Sequence, residues 1–341
     1  MSTHSPLHPS SGHPIPEGNG AIPPAASRWE DLAGSATESR NLATLHIDEL
    51  SALEIATLMN QEDQKVPQAV AAVLPEIARG IDRMATVLSQ GGRVLYVGAG
   101  TSGRLGLLDA AEWRPTFGVE NGVAKALLAG GPQAVYESVE EAEDDFDSGK
   151  AVILREATAK DLVVGITASG NTPFVLGALT AARQLGAASL AIACNRPSRV
   201  EQVTDLAILP VVGPEVIAGS TRLKAGTAQK MVLNMLSTGA MIRLGKVYQN
   251  LMVDLRPTNE KLVGRAIHTI QTVTGVSHEE ATQAFLAADR HVKTAIVMIL
   301  AGVSAAQARQ GLQEAQGFVR KAVSLLQSHS KRVSSSGTER P

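Results

Sequence analysis

The sequence predicts an α/β protein: a doubly wound, mainly parallel five-stranded sheet flanked by helices, with a small C-terminal domain of three short helices. Three observations carry this. Five short apolar runs recur between residues 93 and 212, continuous rather than alternating, as in parallel strands buried on both faces. Stretches with apolar residues at helical spacing lie between them, and such alternation builds a parallel sheet covered on both sides. From about Thr269 onward no strand candidate remains.

Residues 1–27 are rich in Pro, Ser and Gly and predict a disordered tail. Helical spacing runs over Ile47–Asn60 and Val66–Leu88, and Gly91 and Gly92 stop it. The strands are RVLYV (93–97), AKALLA (124–129), LVVGI (162–166), SLAIA (189–193) and LAILPVV (206–212). Helices are expected over 102–112, 132–143, 173–186 and 222–245. The sheet domain takes 28–267. The helical domain takes 268–328, with breaks at Gly275-Val276-Ser277, Gly302-Val303-Ser304 and near Gly317. Ser277 and Ser304 stand three residues before Glu280 and Gln307, the spacing of a capping box. Residues 329–341 predict a second disordered tail.

Composition excludes several classes. A net charge of −2 offers no basic excess for nucleic acid or a membrane surface. The single cysteine, Cys194, leaves no intrachain disulfide and suits a reducing cytosol. No run approaches the roughly 20 apolar residues that span a bilayer, and the first residues lack the charged start and apolar centre of a secretory signal. The expected location is the cytoplasm. Aromatic residues make up only 3%, so Ala, Val, Leu and Ile must build the core, which favours close helix packing and association of subunits.

Ligands of open α/β sheets bind at the carboxyl ends of the strands, and two loops stand out there. GAGTSG (98–103) contains G-x-G-x-x-G, and the helix start after it makes an anion site. A dinucleotide would need an acidic residue at the end of the second strand. That strand ends in Gly130-Gly131, and the turn carries two hydroxyls, Thr101 and Ser102, which a pyrophosphate loop does not require. TASGNTPF (167–174) offers Ser169, Asn171 and Thr172 as donors, Gly170 for close backbone approach and Pro173 for a first helical turn. Either loop alone also fits an ordinary turn with a helix cap. Together they favour a phosphate monoester on a polyol, with Gly100, Thr101, Ser102, Ser169, Gly170, Asn171 and Thr172 as contacts. A third stretch, GSTRLKAGTAQK, opens a long helix with Ser220, Thr221, Arg222 and Lys224. Basic side chains oppose a helix N-terminus, so a bound anion, a partner carboxylate or plain solvent exposure must account for them. Ser220 joins the candidate contacts.

The combination of GAGTSGRLGLLDAAEWRPTFG, EEAEDD, GITASGNTPFV, GSTRLKAGTAQKMVLNMLSTGAMI and NLMVDLRPTNEKL resembles the N-acetylmuramic acid 6-phosphate etherases, from about Thr37 to about Val323. These are sugar-isomerase (SIS) domain proteins with a small helical, UBA-like domain, related to the non-catalytic glucokinase regulatory protein. The resemblance implies a lyase that removes D-lactate from N-acetylmuramic acid 6-phosphate and leaves N-acetylglucosamine 6-phosphate, as in recycling of cell-wall sugars. In the ring-opened sugar the aldehyde acidifies the C2 hydrogen. A base takes that proton, an acid protonates the departing ether oxygen, and water adds to the unsaturated aldehyde. No metal and no organic cofactor is implied. By similarity Glu112 matches the family's acid and Glu143 its second catalytic carboxylate, the base. A carboxyl beside Trp113 with little water would hold its proton, and acidic neighbours would raise Glu143. A run of acids is equally the mark of a solvated surface. TESRN (37–41) and TNEKL (258–262) belong to the resemblance without a role readable from chemistry.

Ten residues separate Ser102 from Glu112, about 15 Å along a continuous helix, farther than a sugar's phosphate lies from its reacting carbons. The expected solution is a homodimer with a shared active site. The competing readings are a sugar-phosphate regulator without catalysis and a sugar-phosphate isomerase, neither of which releases D-lactate.

Overall fold

The computed structural model describes residues 36–139, 141–255, 257 and 259–336, with side chains to 329. The expected tail at 1–27 lies outside the described residues. Five strands, β1 (Val94–Gly98), β2 (Ala124–Leu128), β3 (Leu162–Ile166), β4 (Ala188–Ile192) and β5 (Leu206–Ile208), form one parallel sheet in the order β2-β1-β3-β4-β5. Val94 stands beside Ala124 on one side and Leu162 on the other; Leu162 in turn pairs with Ala188. Alternate strand residues serve opposite layers, as a period of two requires. Val94 and Tyr96 join the apolar cluster under helices α2 (Lys65–Ala71), α3 (Leu74–Ser89), α4 (Gly100–Phe117) and the long helix Lys224–Arg243. Leu95 and Val97 join the cluster under α5 (Phe146–Glu156) and α6 (Pro173–Leu185).

Several elements differ from expectation. The first helical stretch is a 3₁₀ turn (Ile47–Glu49) followed by α1 (Ala52–Asp63), which Ser51 and Glu54 close with a reciprocal capping box. The second breaks at Ala72–Val73 because Pro75 has no N–H for the preceding turn. Helix α4 starts earlier than 102 and runs past Glu112 through Pro115, which leaves the Ala111 carbonyl without its helical donor, and ends at Gly118 with φ 64°. Among the described residues no α-helix covers 132–143. Gly130 and Gly131 have positive φ and leave only 3₁₀ turns at Gly131–Val135 and Ala142–Asp144; the α-helix is α5, which Asp145 caps. The fifth strand stops at Ile208, before Pro210.

After α7 (Val200–Val203) and α8 (Lys224–Arg243), a two-stranded hairpin, β6 (Val247–Tyr248) and β7 (Leu251–Met252), leads into α9 (Glu260–Thr274). The expected boundary at 267/268 falls inside α9, whose Ala266, Ile267 and Ile270 pack with Val253, Phe285 and Ile296 in one separate cluster. The three short helices are α10 (His278–Ala287), α11 (Val292–Ala301) and α12 (Ala305–Glu314). Breaks fall at Gly275, Gly302 and Gly317 as the glycines dictate, and a fourth falls at Asp289 and Arg290, both at positive φ. Both predicted capping boxes form. The last helix, α13 (Val319–Ser336), continues past 329, where a disordered tail was expected.

Candidate active site

Strand order reverses between β1 and β3, and the crevice outside their carboxyl ends is the natural binding point of such a sheet. A cavity of about 590 Å³ opens there. Gly100, Thr101 and Ser102 line it from the first loop, Ser169, Asn171 and Thr172 from the second, and Glu143 from the acidic run. Glu38, Asp144, Thr167, Arg199, Gly219 and Thr221 line it too, and sequence patterns had not singled these out as contacts.

The first loop is built by close approach. A Cβ on Gly103 would lie 2.6 Å from the Gly98 carbonyl oxygen, so only glycine lets α4 start this tightly on β1. The backbone N–H groups of the helix start are thereby held at the cavity floor. Ser102 is buried and its Oγ donates to Gln229 Oε1 (3.0 Å).

The second loop is tied by its own hydroxyls. Thr167 Oγ1 meets Thr172 Oγ1 at 2.8 Å and accepts the Gly170 N–H; Ser169 Oγ accepts the Asn171 N–H. Thr167 is the hub, and its place directly after the β3 run was the available signal. Asn171 Oδ1 accepts the Arg199 N–H (3.2 Å). Gly170 lies behind the wall rather than on it: any Cβ there would collide with Ser198 Oγ. Ser220 also lies off the wall, between Gly219 and Thr221, which are on it.

The acidic run divides its work. Glu141 reverses the chain at φ 66°, Glu143 and Asp144 face the cavity, and Asp145 accepts the Ser148 N–H at the start of α5 (2.8 Å). The cavity takes Glu143 and Asp144 alike, so the choice of Glu143 within the run rests on the resemblance. Glu140 lies outside the described residues.

Glu112 is not on the cavity wall, and α4 is continuous between it and Ser102, about 15 Å of helix. The dry surroundings expected of it are not formed within one chain. Trp113 is 1% exposed but points into the core, where its Nε1 donates to Asp109 (2.9 Å); Glu112 itself is exposed. Asp109 also accepts from Tyr96 Oη (2.6 Å) and Ser237 Oγ (2.8 Å). Burial pushes the Asp109 carboxyl up against those three bonds. On the exposed side, Leu108 and Pro115 stand one turn either way from Glu112, and Leu108 is 47% exposed.

At the start of α8 a partner carboxylate accounts for the buried lysine, one of the three explanations expected there. Lys224 is buried and donates to Glu62 (2.8 Å), which also takes Lys65 (2.5 Å). Burial would raise Glu62, but bonds from Lys224, Lys65 and Asn41 outweigh it and hold the carboxyl at about 2. Glu215, fully buried, accepts the Lys224 and Ala225 N–H groups, and burial pushes its carboxyl up. In TNEKL, Asn259 caps α9 by accepting the Leu262 N–H (2.9 Å), while Thr258 lies outside the described residues. Cys194 is a buried thiol pushed well up by burial and serves packing. Among the described residues no group of three His, Cys, Asp or Glu could hold a metal ion.

Residues 76–183 match the family model of the glucokinase regulatory protein N-terminal SIS domain, 135–239 that of the SIS domain, and 249–289 that of the C-terminal lid domain of glucokinase regulatory protein. The chain is 55% identical over 293 residues to an N-acetylmuramic acid 6-phosphate etherase of Yersinia pestis (strain Pestoides F), a match over 86% of this chain and 99% of that one. The counterpart in Yersinia pseudotuberculosis serotype O:1b (strain IP 31758) matches equally. Among solved structures, a phosphoheptose isomerase from Francisella tularensis aligns at a TM-score of 0.42 and 15% identity, over 57% of this chain and 100% of that one.

Proposed function

The chain belongs to the N-acetylmuramic acid 6-phosphate etherases, and from that premise we propose that the cavity between β1 and β3 is its active site, completed by Glu112 of a second copy. The protein is a carbon–oxygen lyase that cleaves the D-lactyl ether of N-acetylmuramic acid 6-phosphate. Membership decides against the regulator and isomerase readings.

The carrying observation is that one cavity gathers both hydroxyl-bearing loops and Glu143. Ser169, Asn171 and Thr172, at the start of α6, hold the phosphate with the helix N-terminus behind it. Thr101 and Ser102 hold sugar hydroxyls. Glu143 takes the C2 proton of the open-chain aldehyde. Glu112 protonates the departing ether oxygen, D-lactate leaves, and the pair reverses roles as water adds at C3. The exposed Leu108 and Pro115 around Glu112 support burial of that helix end against a partner. No single helix among the described residues is long and apolar enough to cross a membrane; the reading places the enzyme in the cytoplasm as a homodimer, with no nucleic-acid or membrane partner and no cofactor.

Co-refolded Glu112→Gln and Glu143→Gln subunits test the shared site. Each variant alone is inactive. If one site draws on both chains, the statistical mixture regains about a quarter of wild-type D-lactate release, because each hybrid keeps one intact site. Hybrids that form and stay inactive place both carboxylates in one chain.

A further inference from the structure

Three acidic side chains line the cavity, and the etherase reading uses only Glu143. Asp144 is its neighbour in the same 3₁₀ turn. Glu38 comes from a different part of the chain, a strap ahead of the first helix. The strap is pinned at several points. The Ala36 N–H donates to Asn195 Oδ1 (3.0 Å), and the Gly219 N–H donates to the Thr37 carbonyl (3.2 Å). Thr44 Oγ1 donates to the Val216 carbonyl (2.8 Å). Thr37 is fully buried while Glu38 beside it is exposed, so the strap turns one side chain inward and the next onto the cavity. Glu38 Oε2 passes over Gly219, within 3.1 Å of where a Cβ would stand, so the bare glycine leaves room for the carboxylate.

Resting on the active-site reading above, the placement constrains what Glu38 meets. The substrate carries two anions, the phosphate and the lactyl carboxylate, and both are repelled by a third carboxylate. Glu38 therefore faces the neutral, hydroxyl-bearing part of the sugar. Elimination needs the open-chain aldehyde, and the sugar arrives as a closed pyranose. We propose that Glu38 is a further catalytic residue that opens the ring. Its carboxylate takes the proton of the anomeric hydroxyl, the O1–H electron pair becomes the second C1–O1 bond, and the C1–O5 bond breaks. O5 keeps that electron pair and takes the proton back from Glu38. The carboxylate is regenerated, and no electron, proton or water is consumed.

The test compares Glu38→Gln with wild type on two substrates: N-acetylmuramic acid 6-phosphate, and an analogue lacking the 4- and 5-hydroxyls, which cannot close a ring. Glu38→Gln should slow D-lactate release from the natural substrate by about tenfold or more and from the analogue by less than about twofold. Equal loss on both substrates, or no loss on either, overturns the assignment. A Glu143→Gln control is expected to lose both substrates; if it keeps them, the active-site reading itself fails, and this role for Glu38 falls with it. Thermal unfolding of Glu38→Gln should match wild type, which separates a lost proton transfer from a lost strap.

Discussion

The two ends of helix α4 show how differently one element can serve a site. Its first turn is built within a single chain: Gly103 seats it on β1, Ser102 is bonded to Gln229, and Gly100, Thr101 and Ser102 line the cavity. Its last turns are finished on one side only. Inward, Asp109 and Trp113 join Tyr96 and Ser237 in a buried network with every bond made. Outward, Glu112 stands exposed among Leu108 and Pro115. A pocket wall and an exposed surface on the same helix teach that one chain carries only part of the proposed site, and on that reading a second copy supplies the rest.

The strongest way to break this contrast is Glu112→Gln. It should lower D-lactate release by about 10²–10⁴-fold and leave urea unfolding unchanged; loss of stability instead would make Glu112 a structural residue. Lys224→Met attacks the support beneath the first turn. It removes the buried partner of Glu62, which keeps only Lys65 and Asn41, and should cost about 1–3 kcal/mol in urea unfolding. Asp109→Asn is the mirror of the Glu112 change. It removes acceptor capacity from three buried donors and should cost about 1–3 kcal/mol, with activity per folded molecule preserved. Acid sharpens the same point. Glu62 is held near 2, below its unfolded value, so its contribution is present above about pH 4.5 and is lost as pH falls toward 2. Unfolding free energy measured across that window should fall more steeply in wild type than in Glu62→Gln. The smallest effect is expected of Leu108→Ser, within about 0.5 kcal/mol for the single chain, while sedimentation should show weaker self-association.

Much of the fold was legible because its signals are local. Continuous Val, Leu and Ile runs mark buried strands, and the serine-to-glutamate spacing at 277–280 marks a helix start. The stretch at 132–143 reads as helical from its residue types, but Glu141 takes a positive φ within it and only 3₁₀ turns form among the described residues. The break at Asp289–Arg290 carries no glycine and had no signal. At the site, the loops announced themselves through glycine and hydroxyl clusters. Glu38 did not, since nothing in a lone TESRN motif says it lies beside Gly219, far along the chain. Such contacts come from tertiary folding, as does the assignment of Lys224 to Glu62 rather than to an anion.

The strap sets a practical limit on shortening the protein from its amino end. Ala36 and Thr37 are already stitched to Asn195 and Gly219. Removing residues up to 37 would unpick the rim from the loop that carries Gly219 and Thr221. Trimmed versions that begin beyond Thr37 should lose sugar-phosphate binding while the sheet beneath still folds, so engineering at that terminus belongs upstream of Ala36.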